Sequence, residues 1–139
     1  MTTHECPICS RWDDDSDLRI IQLNHSYVTL NRDQFFPGYV LLFTKTHVTE
    51  LFHLQRQERD ELMDEVSRVA EALHKAYKPD KINYELLGNM APHMHWHLVP
   101  RFASEQLWPR PIWAEPHPEV LLSPDEYHCH IELIRKALS

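Results

Sequence analysis

The segment Pro92-His93-Met94-His95-Trp96-His97-Leu98-Val99-Pro100-Arg101 alternates imidazole with apolar side chains. Successive side chains of a strand point to opposite faces, so His93, His95 and His97 are expected in a row on one face. Met94, Trp96 and Leu98 then enter the core from the other, and His95 is expected on a solvent-open surface. A single such histidine would read as a polar strand position; three in strict alternation point to chemistry. One metal ion cannot gather all three on a regular strand. Positions i and i+2 lie ~6.7 Å apart, but i and i+4 lie ~13 Å apart, too far for Zn–N bonds of ~2.0 Å. The row suits a relay in which one imidazole is the nucleophile and its neighbours fix its tautomer and bind the anionic group under attack. Neutral imidazole attacks phosphorus near pH 7, and its N-phosphoryl adduct is readily hydrolysed.

Working outward, Ile82 to Leu87 reads as the strand before the histidine segment, joined to it by Gly88-Asn89-Met90-Ala91-Pro92. Three earlier runs, Leu18 to Leu23, Ser26 to Asn31 and Tyr39 to Phe43, are separated by the turn signals Asn24-His25 and Pro37-Gly38. Between them and the last two strands, Leu62, Val66, Val69, Ala70, Leu73 and Tyr77 recur at spacings of three and four. That period predicts an amphipathic helix from about Gln57 to Tyr77, stopped by Pro79. The Pro-rich stretch from Trp108 to Pro118 predicts an extended arm, with its tryptophans as anchors to its own domain or as a cover for a ligand or partner. Ser123-Pro124-Asp125-Glu126 is a capping box with Pro at the first helical position. It opens a terminal helix whose inner face carries Tyr127, Ile131, Ile134 and Leu138; Cys129 is expected to pack. The expected fold is α+β, a five-stranded antiparallel sheet with one long helix and a C-terminal helix. Residues 1–139 form one domain, its arm and final helix spanning about 104–139.

Composition narrows the function. Fourteen Lys and Arg against 21 Asp and Glu leave a net charge of −7, with no basic field for nucleic acid or an anionic membrane. Two glycines exclude a glycine-rich phosphate loop of the Rossmann or P-loop kind. No apolar run approaches the ~20 residues that span a bilayer. The opening MTTHECPICSRWDDD lacks the apolar core of a signal peptide, and three Cys fit a reducing, cytoplasmic setting.

His93-x-His95-x-His97-Leu98-Val99 resembles, at all seven positions, the signature of the histidine triad family of nucleotide hydrolases and transferases. Asn31-Arg32, Pro37-Gly38-Tyr39-Val40-Leu41, Lys45-x-His47-Val48 and the long helix follow the family's order of landmarks, over roughly Cys6 to Arg101. The resemblance implies hydrolysis or transfer at the α-phosphate of a nucleoside phosphoryl compound, of dinucleoside polyphosphate or phosphoramidate type. His95 would be the nucleophile, His97 would contact the phosphate and leaving group, His93 would position His95, and Asn31 would bind the ribose. It implies a homodimer that extends the sheet, and no cofactor for the chemistry. Two departures stand out. Tyr39 occupies a position where the best-studied branches carry a further histidine. The loop before the triad is also short, with Asn89 as the candidate phosphate donor in place of a Ser or Thr. Rival readings are a nucleotide-binding protein with little turnover and a zinc-dependent hydrolase.

Cys6-Pro7-Ile8-Cys9 is a C-x-x-C pair, which by itself is open to two reduced thiols or to metal ligation. Some family members hold structural zinc with such a pair, the histidine after the third strand and the first triad histidine. The corresponding residues here are His47 and His93.

Overall fold

The computed structural model describes residues 5–139. A one-turn helix α1 (Arg11–Asp14) precedes strands β1 (Arg19–Gln22), β2 (Ser26–Leu30) and β3 (Val40–Thr44). The long helix α2 (Arg56–Tyr77), strands β4 (Lys81–Glu85) and β5 (His95–Arg101), and the terminal helix α3 (Pro124–Leu138) follow. The strands form one antiparallel sheet in the order β1-β2-β3-β5-β4. The histidine strand β5 is therefore internal, paired with β3 so that His95 lies opposite Phe43 and His97 opposite Leu41.

Both faces of the sheet are covered, each for its own reason. Val28, Leu30, Val40, Leu42, Trp96 and Leu98 share one core with α2, which buries Leu62, Val66, Val69, Ala70 and Leu73, and with α3. The capping box at Ser123 and Glu126 is formed, and Tyr127, Ile131, Ile134 and Leu138 are all buried. Helix α2 ends at Lys78, whose φ of 52° is left-handed, immediately before Pro79.

The opposite face, with Leu41, Phe43 and Val99, is covered by the N-terminal Cys6 and Ile8, by Phe36, and by Leu107 and Ile112 of the arm. This cover corrects the expectation of an open histidine face: His95 is only 8% exposed. The arm's buried anchors are Leu107 and Ile112; Trp108 is half-buried and Trp113 is 56% exposed. Arg101, buried at the end of β5, fastens the arm by donating to Asn83 Oδ1 (2.7 Å) and to the Arg110 carbonyl (2.7 Å) while pairing with Glu105. Cys129, expected to pack, lies on the exposed side of α3.

The loop between β2 and β3 is built around the buried amide of Gln34. Its Nε2 donates to the carbonyls of Asn31 and Tyr39, and its Oε1 accepts from the Gly38 N–H. Gly38 must be glycine: its φ is +86°, and a Cβ there would come within 2.7 Å of the Tyr77 ring. These contacts hold Asn31 and Tyr39 on the side of the covered histidines.

Candidate active site

Strand β5 begins at His95, so the expected row of three imidazoles divides. His93 precedes the strand and is 1% exposed; its Nε2 hydrogen-bonds the Thr44 carbonyl at 2.8 Å. A carbonyl only accepts, so Nε2 carries the proton and the Nδ1 lone pair faces away from Thr44. That lone pair meets the thiols of Cys6 at 3.5 Å and Cys9 at 3.4 Å, while Nδ1 of His47 lies 3.3 Å from Cys9 Sγ. The four donor atoms all fall within 4.8 Å of one another. Tetrahedral zinc, with bonds of about 2.3 Å to sulfur and about 2.0 Å to nitrogen, places neighbouring S and N roughly 3.5 Å apart. The donor set therefore fits the ion in both chemistry and spacing. The bond from His93 Nε2 to the Thr44 carbonyl is of the kind that orients a ligating imidazole. Burial, followed by the neighbouring Cys6, pushes the Cys9 thiol up to about 11, so a cation is what would draw off its proton at neutral pH.

His93 also reaches His95, through its backbone: the His93 carbonyl accepts from His95 Nδ1 at 2.7 Å. By the same argument Nδ1 is the protonated nitrogen, leaving Nε2 of His95 with its lone pair. The rings of His95 and His97 stand 5.0 Å apart, tilted by 71°.

His97 Nδ1 lies 2.5 Å from the Tyr39 hydroxyl. Burial, followed by the Glu85 carboxylate, raises the phenol far above its ordinary value, so it is protonated at working pH. Its single O–H has no other acceptor among the described residues and so donates to His97 Nδ1, leaving the proton of His97 on Nε2. Burial, with smaller contributions from His95 and Arg11, pushes His97 down to about 4, so the ring is neutral at pH 7. The pair thus presents one nucleophilic nitrogen on His95 and one neutral N–H donor on His97.

These two rings line two cavities. The first, about 250 Å³, is walled by Ile8, Phe36, Leu41 and Ile112 and carries Arg11, Asn31 and Tyr39. Asn31 Nδ2 donates to the Asp33 carbonyl at 2.9 Å, and its Oδ1 has no partner among the described residues. His117 of the arm stacks on Phe35 with centroids 4.0 Å apart and lines the same cavity. The second cavity, about 330 Å³, is formed by Leu87, Gly88, Asn89, Met90 and Ala91. Asn89 is exposed there and makes no side-chain hydrogen bond among the described residues. Trp113 borders both cavities, its ring 5.2 Å from His97 and its Nε1 donating to Glu85.

The fold thus brings His95, His97, Asn31 and Tyr39 to one cavity and Asn89 to the adjoining one, while His93 serves the thiol cluster with its ring and His95 with its carbonyl. Sequence reasoning missed Arg11, His117 and Glu85 at the site. No pattern marks them, because each reaches it through the folding of the terminal segments or through its place on β4.

The covered histidine strand, its two-ring site and the flanking cavities are those of a histidine triad protein, and the chain belongs to the HIT domain family, whose profile matches residues 14–104. Members of that family are in general nucleotide-binding hydrolases and transferases. Among solved structures, a histidine triad protein from Bradyrhizobium japonicum is 29% identical, with a TM-score of 0.81 over 91% of this chain and 95% of its own. One from Marinobacter aquaeolei VT8 is 25% identical, with a TM-score of 0.79 over 89% and 90%. A zinc-bound family protein from Mycobacterium smegmatis, at 22% identity, shares the fold with a TM-score of 0.70 over 99% and 95%. No curated protein matches significantly in sequence.

Proposed function

We propose that the protein hydrolyses or transfers nucleotidyl groups at the α-phosphate of nucleoside phosphoryl compounds, through a covalent adduct on His95. The observation that carries this reading is the tautomer of His95. With Nδ1 donating to the His93 carbonyl at 2.7 Å, Nε2 keeps its lone pair, and the His95 ring lines both cavities. A phosphorus placed over that nitrogen would have its nucleoside in the first cavity and its leaving group towards the second. In the first step the Nε2–P bond forms as the bond from phosphorus to the leaving group breaks. In the second, water forms a P–O bond, the N–P bond breaks, and the proton of the water passes to solvent. His97 Nε2–H is a preorganised donor for the phosphoryl oxygens as charge gathers on them. Asn31 Oδ1 is an acceptor for ribose hydroxyls.

Cys6, Cys9, His47 and His93 would hold zinc in a closed four-ligand site, which is the structural kind. Zinc would supply folding energy and fix the His93 backbone on which His95 depends. The free side of the edge strand β4 is where a second copy would extend the sheet into a homodimer.

The test is a rapid-quench reaction with nucleotides labelled at the α-phosphate, followed by intact-mass analysis and mapping of the adduct. A nucleotidyl group on His95, absent from a folded His95→Ala variant that no longer turns over, is the expected result. Turnover that persists in His95→Ala would remove His95 as nucleophile.

A further inference from the structure

Three residues line both cavities: His95, His97 and Trp113. The first two form the reactive pair, whereas Trp113 comes from the irregular arm and has no part in the chemistry given above. Its backbone is well held. Ile112 before it is buried in the cover, Arg101 grips the Arg110 carbonyl, and the Ala114 N–H closes a turn on the Pro111 carbonyl at 3.0 Å. Trp113 Nε1 donates to Oε2 of Glu85, and its ring meets His97 nearly edge-on, at 84° with centroids 5.2 Å apart. The side chain is more than half exposed, so it is the bond to Glu85 rather than burial that fixes the indole. Glu85 is the residue paired with His97 across β4 and β5, so the two side chains share a face, with Cβ atoms about 5 Å apart. A carboxylate so close to an imidazole N–H binds it more strongly than a neutral acceptor does, and favours the protonated ring. His97 Nε2–H nevertheless has no acceptor among the described residues, and the indole engages Glu85 instead.

We infer that Trp113 is a positioning residue for His97: it confines the ring beside the Tyr39 hydroxyl and, by donating to Glu85, keeps that carboxylate from capturing the Nε2–H meant for the phosphoryl group. This rests on the donor role given to His97 above. The imidazole is then held from two sides, by the phenol at Nδ1 and by the indole. The groups that face it are Tyr39 from the β2–β3 loop, His95 on its own strand, Glu85 on β4 and Arg11 on α1, with Asp33 and His117 lining the first cavity. Burial opposes a charge on His97, as do His95 and Arg11. Of the two carboxylates, Asp33 accepts from the Phe35 and Val120 N–H groups. Glu85, the cross-strand neighbour, is therefore the one whose release would draw a proton onto His97.

¹⁵N NMR of the His97 ring, followed through pH on the free protein, tests this without relying on turnover. In the wild type His97 should stay neutral down to about 4, with its proton on Nε2. Trp113→Phe keeps an aromatic ring but gives up the bond to Glu85. The His97 midpoint should then rise towards the ordinary imidazole value of about 6.5. On an α-phosphate substrate kcat should fall about tenfold, with KM within about threefold. Adding Glu85→Gln to Trp113→Phe removes the charge and should bring the midpoint back down, a rescue that loss of packing alone would not give. A midpoint in Trp113→Phe equal to that of the wild type would overturn the inference, as would a raised midpoint that Glu85→Gln leaves unchanged. Should Trp113→Phe fail to fold, hydrogen exchange in the wild type decides. Slow exchange of Trp113 Nε1–H supports the bond to Glu85, and exchange as fast as that of a free surface indole overturns it. If the midpoint moves as expected but kcat does not, the donor role of His97 fails while the hold of Trp113 on its ring stands.

Discussion

Removing one oxygen, in Tyr39→Phe, should separate the positioning of His97 from the chemistry of His95. The hydroxyl lies 2.5 Å from His97 Nδ1. In the resting protein the substitution leaves a largely buried ring nitrogen without a donor, at a cost of about 1–3 kcal/mol in stability. At roughly 3–5 °C per kcal/mol for a domain of this size, Tm should fall by about 3–15 °C. The larger effect is on rate. With Nδ1 no longer accepting, His97 is free to turn and to move its proton to Nδ1, so Nε2–H is present at the phosphoryl oxygens only part of the time. A hydrogen bond to a charged group contributes about 1.5–3 kcal/mol, and losing most of it in the transition state lowers kcat about 10–100-fold. KM should change less than about threefold, because the bond strengthens as charge develops rather than on binding. Tyr39→His, which supplies another imidazole there, should recover much of the loss. The assay pairs steady-state kinetics on an α-phosphate substrate with ¹⁵N NMR of His97, whose Nδ1 should report as an acceptor in the wild type and as a tautomer mixture in Tyr39→Phe. If Tyr39→Phe keeps kcat within twofold and leaves the His97 nitrogen shifts unchanged, the phenol does not set the tautomer and the reasoning fails.

Asn31→Ala should raise KM more than it lowers kcat, by about 1–2 kcal/mol of lost binding, and a 2′,3′-dideoxy substrate should be nearly indifferent to it. Kinetics on the four protein–substrate pairs would show simple additivity if Asn31 does not touch the sugar. Zinc should bind at one ion per chain, detected by elemental analysis of metal-reconstituted protein, and Cys9→Ser should lose it along with thermal stability. Zinc content unchanged in a Cys6→Ser, Cys9→Ser double variant would place the ion elsewhere. Stability should also fall as pH drops from about 6.5 towards 4. Over that range the unfolded chain takes up a proton at His97 that the folded protein, with His97 pushed down to about 4, does not. The loss attributable to this group reaches about 2–3 kcal/mol at the acid end. Denaturant unfolding at pH 7, 5.5 and 4.5 should show a shallower pH slope for His97→Gln; equal slopes would mean that His97 is not the group responsible.

Much of this protein was legible in one dimension because its signals are local. The alternation from His93 to Leu98 marks a strand and its two faces, the three-and-four spacing from Leu62 to Tyr77 marks α2, and Ser123 with Glu126 opens α3. Each depends on backbone periodicity or on a bond between residues three apart, so each survives without knowledge of the rest of the chain. Neither the covering of the histidine face nor the division of the triad could be read that way. His93 leaves the row because Cys6, Cys9 and His47, some 40 to 90 residues away in sequence, converge on its Nδ1 while Thr44 holds its Nε2. The neutrality of His97 and the tautomer that Tyr39 imposes on it depend on burial beneath a terminal segment and an arm that have no periodicity of their own. Arg11 and Trp113 reach the site in the same way. Desolvation and hydrogen-bond partnership are properties of what surrounds an atom in three dimensions, so only the assembled fold decides which of 11 histidines keeps a free Nε2 lone pair, which presents a neutral N–H and which faces the thiol pair.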